Sequence, residues 1–124
     1  MIHISNRKNT NVFYTLQKSI FNDYKLVKSF PDNPKIYYCG RPSILGNPFS
    51  HLNNSIAKYK CKKEFVLFNF ENCLLSLPRF SRQICLINNI KEESKTIDVC
   101  LECWCVPKPC HCEIILRNIL ENKI

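Results

Sequence analysis

Five of the nine cysteines fall within thirteen residues, Cys100-Leu-Glu-Cys-Trp-Cys-Val-Pro-Lys-Pro-Cys-His-Cys112. Thiols at that density beside an imidazole suit metal, redox or nucleophilic chemistry rather than packing alone. Two chemistries compete for them. In the first, Pro109 opens a helix whose first turn carries Cys110, His111 and Glu113. The unpaired N–H groups and positive dipole end of that turn favour a thiolate, with His111 as base or donor. Cys110, His111 and Glu113 are then the candidate catalytic set. In the second, zinc takes four nitrogen or sulfur ligands, and Cys103, Cys105, Cys110 and His111 supply them. A one-residue spacing on a strand points Cys103 and Cys105 the same way. A second, distant Cys-x-x-Cys knuckle is missing, so zinc is the alternative reading.

The only two glycines lie together in Gly40-Arg-Pro-Ser-Ile-Leu-Gly-Asn-Pro-Phe49. Glycine permits positive φ or close backbone approach, and two prolines restrict the rest of the loop. Arg41 offers a planar fork for phosphate or carboxylate, and Asn47 an amide with donor and acceptor. Gly40, Arg41, Gly46 and Asn47 are the candidate ligand-binding set. A plainer role stands beside each: Arg41 pairing with a structural carboxylate, Asn47 supporting its own turn, and the cysteines filling space. The dispersed Cys39, Cys61, Cys73 and Cys85 lie in apolar segments and read as small core residues.

The elements that must position these residues follow from periodicity and breakers. Residues 1–5 alternate as a short edge strand. Apolar positions at 12, 13, 16, 20 and 21 predict a helix over 12–28, ended by Pro31 and Pro34. Lys35-Ile-Tyr-Tyr-Cys39 reads as a buried strand running into the glycine loop. After an Asn53-Asn54 turn, Ser55 is the N-cap candidate for a helix reaching about Leu77, and Ser81–Ile90 forms a shorter one. In 96–103, Ile97, Val99 and Leu101 alternate with Asp98, Cys100 and Glu102 as a strand. Ile114, Ile115, Ile119 and Leu120 mark a C-terminal helix after the cysteine loop. This order predicts a small single α/β domain over 1–124, with a mostly parallel sheet and flanking helices. Ligands bind at the carboxyl ends of parallel strands, so loops 40–49 and 103–112 would share one rim.

Composition bounds the partners. The net charge is +8, and residues 1–62 hold ten Lys/Arg against two acids, while 63–124 hold eight of each. A basic first half suits nucleic acid or a small phosphorylated, nucleotide-like ligand; the plainer account is scattered solvated lysines. Asn, Lys and Ile make up a third of the chain, as AT-rich phage, organelle or viral genomes encode. The N-terminus lacks the apolar region of a secretory signal, no apolar run could span a membrane, and nine cysteines is an odd number. The expectation is a reducing intracellular compartment with free or metal-bound thiols.

Tyr38-Cys-Gly-Arg-Pro42, Gly46-Asn-Pro-Phe49 and Cys103-Trp-Cys-Val-Pro-Lys-Pro-Cys-His-Cys112 together resemble domain-of-unknown-function family 4326, found in phages, bacteria and viruses. The likeness covers about 35–118, leaving 1–34 as an N-terminal strand and helix. That family's signature has Gly after Cys-His, where this chain has Cys112, and often a basic residue before the central helix, where Asn53 and Asn54 stand. The resemblance implies a small α/β domain without an assigned reaction. The sequence reading is thus a domain binding, or processing, a small anionic ligand between the two loops. The alternative is a zinc-stabilised module that touches nucleic acid.

Overall fold

The computed structural model describes residues 1–52 and 55–124, so the expected turn at Asn53-Asn54 lies outside the described residues. Strands β1 (Ile2–Asn6), β2 (Asn9–Lys18), β3 (Tyr24–Ser29), β4 (Lys35–Tyr38) and β7 (Val99–Cys103) form one sheet in the order β3-β2-β1-β7-β4. A second, two-stranded parallel pair joins β5 (Phe49–Ser50) to β6 (Tyr59–Lys60). Helices α1 (Val66–Ser76), α2 (Arg82–Glu93) and α3 (His111–Leu120) complete the α/β fold.

The large sheet is mixed rather than mostly parallel. β1–β7 and β4–β7 are parallel, but β1–β2 and β2–β3 are antiparallel. The difference arises at 12–28, which is a hairpin and not a helix. Val12-Phe-Tyr-Thr-Leu16 is β-branched and aromatic, and Tyr14, Leu16 and Leu26 turn the same way onto the core. Two positions of the supposed helical stripe, Ile20 and Phe21, sit exposed in the turn. There Ser19 N–H donates to the Asp23 carbonyl and Asn22 takes φ 65°, a left-handed value that asparagine tolerates. A short turn can only join antiparallel strands.

The central helix is also shorter than expected. Residues 59–60 pair with 49–50, a 3-10 turn covers Lys63–Phe65, and α1 begins at Val66. Ser55 caps no helix; its hydroxyl accepts from the Ala57 N–H. Ile56 and Tyr59, apolar positions within the expected helix, are exposed. By contrast α2 starts where its cap dictates, with the Ser81 hydroxyl accepting the Ile84 N–H. Residue 97 lies outside β7, but Val99 and Leu101 do oppose Cys100 as their alternation requires.

One sheet face carries Ile2, Ile4, Val99 and Leu101, which share a core with Phe70 and Leu74 of α1, Ile87 and Ile90 of α2, and Ile115 and Leu116 of α3. His3, Ser5 and Cys100 point to the other face and are nonetheless buried. The connection from β3 to β4 must travel between the two outer edges of the sheet. Along it the Ser29 hydroxyl meets His3 Nδ1 at 2.6 Å and the Asp32 N–H donates to Asp98, which covers those polar groups. Cys39 belongs to the core, Cys61 and Cys73 are half-buried, and Cys85 is exposed, so the last is not a core residue.

Candidate metal centre

β4 and β7 are hydrogen-bonded parallel neighbours, so the loops that leave their carboxyl ends emerge side by side. They meet as the strand order requires: His111 Nε2 lies 2.7 Å from the Cys39 carbonyl oxygen. A carbonyl can only accept, so Nε2 carries the proton and Nδ1 turns its lone pair toward Cys110 Sγ, 3.7 Å away. The peptide bonds Arg41–Pro42 and Val106–Pro107, one in each loop, are cis.

Cys103 closes β7, Cys110 is the N-cap of α3, and Cys112 lies in that helix's first turn. Their three Sγ atoms lie within 4.8 Å of one another, and all three residues are buried. Hydrogen bonds from the Cys110 and Cys112 thiols hold the Cys103 thiol far below its usual range. The same bonds hold Cys110 and Cys112 up. The Cys110 thiol is thus pushed up, opposite to the direction expected from its place at the helix start. Cys105, exposed in the loop, hydrogen-bonds the Cys110 thiol, and that bond with the charges of Arg41 and Lys108 brings it down to about 7. Cys100 stays apart: its S–H points to the Ser5 hydroxyl at 3.1 Å, and burial pushes it up to about 11. Burial also lowers His111, keeping the imidazole neutral.

Of the sequence set, Cys103 and Cys110 belong to this triad, while Cys105 and His111 border it. Cys112, another thiol of the same cysteine-rich stretch, completes it. Asn6, at the end of β1, gave no signal at all. Its amide donates to the carbonyls of Trp104 and Val106 at 3.1 and 2.9 Å, which fixes the loop around Cys105.

The glycine loop does its own structural work. Neither glycine has positive φ; both answer to close approach. A Cβ on Gly40 would run into the Tyr38 phenol, and one on Gly46 would lie 3.1 Å from the Arg41 Cα. Arg41 Nη1 donates to the carbonyls of Asn47 and Phe49 at 3.2 and 3.0 Å, and Asn47 Oδ1 accepts the Phe49 N–H at 2.9 Å. Glu113 lies on the far side, where it lines a cavity of about 320 Å³ with Cys110, Tyr24, Glu71 and Arg117. Burial raises its carboxyl. Neither Arg41 nor Asn47 lines that cavity.

No curated protein and no solved structure gives a significant match to the chain. A family model described as Domain of unknown function (DUF4326) matches residues 24–121, from the start of β3 to the end of α3. That stretch contains every cysteine of the centre, and the chain belongs to the family of domain of unknown function 4326.

Proposed function

We infer that the protein is a small α/β module whose cysteine end holds one zinc ion between Cys103, Cys110 and Cys112. The observation that carries this is the mutual approach of three buried Sγ atoms to within 4.8 Å. Tetrahedral zinc with Zn–S near 2.3 Å needs sulfurs about 3.8 Å apart, so adjustments of about 1 Å close the site. Buried thiols without a metal or disulfide are ordinarily scattered; here strand, loop and helix each deliver one to the same point. Thiolates select soft ions such as zinc over calcium or magnesium.

Cys105 is the fourth ligand in this reading. It sits on an exposed loop and already contacts Cys110. His111 is the rival, but its ring is clamped by the Cys39 carbonyl and lies edge-on against Phe70, 5.3 Å between centroids. The positive N-terminus of α3, Arg41 and Lys108 offset the negative charge of a four-thiolate centre. An anionic ligand held by Arg41 and Asn47 draws less support, since those side chains are engaged within their own loop. The cavity beside Cys110 carries Glu71 and Glu113 against one cation, Arg117, which is already paired with Glu71 and so offers an anion little.

The test is metal analysis of protein purified without added zinc. The reading requires about one zinc per chain, lost in Cys103→Ser and Cys112→Ser variants. Metal-free protein that keeps its fold, and gains nothing in stability when zinc is added, would refute it.

A further inference from the structure

The rim beside the cysteine loop carries a second constellation that metal binding does not use. Trp104 is the only tryptophan and is 48% exposed. It is held in place rather than merely left outside. Its indole N–H donates to the Tyr38 hydroxyl at 2.8 Å, its carbonyl accepts from Asn6, and Tyr38 in turn donates to the Arg41 carbonyl at 3.3 Å. Tyr38 can lie there only because Gly40 has no side chain. Arg7, leaving the end of β1, places its guanidinium 4.5 Å from the Tyr38 ring centroid and 5.8 Å from that of Trp104. Glu102 anchors the same guanidinium at 3.5 Å.

We propose that Trp104, Tyr38 and Arg7 form a stacking platform for an unpaired base of single-stranded nucleic acid. Aromatic faces and an arginine plane accept any base, while neighbouring cations track the phosphates. The cations are at hand: Lys8 follows Arg7 and Lys108 occupies the cysteine loop, both exposed. Glu102 is the acid in contact, and Arg7 already neutralises it. The three platform residues come from the carboxyl ends of β1, β4 and β7, three parallel neighbours, so a strand can cross all of them in turn. A single nucleotide is the poorer occupant. Trp104 and Arg7 lie on the open surface, where one base and one phosphate find no enclosure and affinity must come from successive phosphates. This goes beyond the metal reading and stands without it, because the platform is fixed by Asn6, Gly40 and Tyr38.

The chain's one tryptophan makes the test direct. Protein as purified is titrated with an oligothymidylate of about eight nucleotides while Trp104 emission is read. Saturable quenching is expected, with a midpoint that moves to higher oligonucleotide concentration as salt is raised. Anisotropy of the labelled oligonucleotide should show at least about tenfold weaker binding for Trp104→Leu and for Arg7→Ala. Trp104→Phe should retain part of the affinity, and Lys123→Ala, a charge-matched control in the C-terminal turn, nearly all of it. No quenching of the wild type would overturn the proposal, and that measurement needs no substitution. Quenching by thymidine monophosphate at the same midpoint would also overturn it, by making the site a nucleotide pocket. So would equal binding of inorganic polyphosphate, which has no bases to stack.

Discussion

In the proposed zinc centre Cys105 and His111 are rivals for the fourth position, and their surroundings decide between them. A loop thiol can swing by the small distance required; a buried imidazole tied to the Cys39 carbonyl gives up a hydrogen bond to do so. Cys105→Ser should therefore weaken zinc retention against a chelator by more than the roughly 10–100-fold that loss of an outer-shell partner costs. His111→Asn should leave the stoichiometry near one and act mainly on stability; competition with a coloured chelator reads both. At Gly40 the expectation is steric. Gly40→Ala puts a methyl where the Tyr38 phenol lies, so the ring swings aside; it should cost about 1 kcal/mol, the loss of a hydrogen bond, and should shift Trp104 emission as Tyr38 leaves the indole N–H. Denaturant unfolding followed by fluorescence checks both effects. At this scale the sequence was legible wherever residue type alone implies chemistry. The cysteine loop announced itself, and the glycines were expected to serve positive φ or close approach, of which close approach is what each provides. Arg41 and Asn47 were harder, because a guanidinium or amide spent on its own loop looks the same in a sequence as one facing a ligand. Choosing among the clustered thiols was harder still, because spacing alone does not say that Cys112 converges with Cys103 and Cys110.

Among the elements, α3 is tied to α1 by a partly buried group of three side chains. Glu71 accepts from Arg117 and, at 2.8 Å, from the fully buried Asn118, whose amide also donates to the Ile114 carbonyl. Burial raises the Glu71 carboxyl, but the bonds from Asn118 and Arg117 outweigh it and leave the carboxyl below its ordinary value of 4.5. A folded-state pKa below the unfolded one contributes stability above about pH 4.5, and that stability is lost as pH falls through the lower, folded value. Glu71→Gln should thus cost about 1–2 kcal/mol at pH 7, with the gap between variant and wild type closing in acid. Urea unfolding at several pH values tests it. The sequence located α2, β4 and α3 to within a few residues, because Ser81, Gly40 and the Pro109-Cys110 start are strong local signals. It misread 12–28, since a run such as Val-Phe-Tyr-Thr-Leu satisfies helical and strand spacing over so short a window. Pairing with β1 settles that choice, and pairing is a property of the whole sheet.

For the whole molecule, the decisive feature is that three parallel strands end at one rim. β1 supplies Asn6 and Arg7, β4 supplies Tyr38 and the glycine loop, and β7 supplies Cys103 and Trp104. The proposed metal centre and the proposed stacking platform draw on the same strand ends, one beneath the surface and one upon it. Among the described residues, no helix is long and apolar enough to cross a membrane. A zinc ion bound only by the folded chain adds stability by mass action, about 2.7 kcal/mol when free zinc is a hundredfold above Kd. Thermal unfolding should accordingly move down on chelation and return when zinc, but not magnesium, is restored.

The most direct examination is X-ray absorption at the zinc edge on protein purified from cells, which reads the ligand atoms themselves. The account predicts a first shell dominated by sulfur at about 2.3 Å. A shell of nitrogen and oxygen, or protein that carries no zinc, would contradict it.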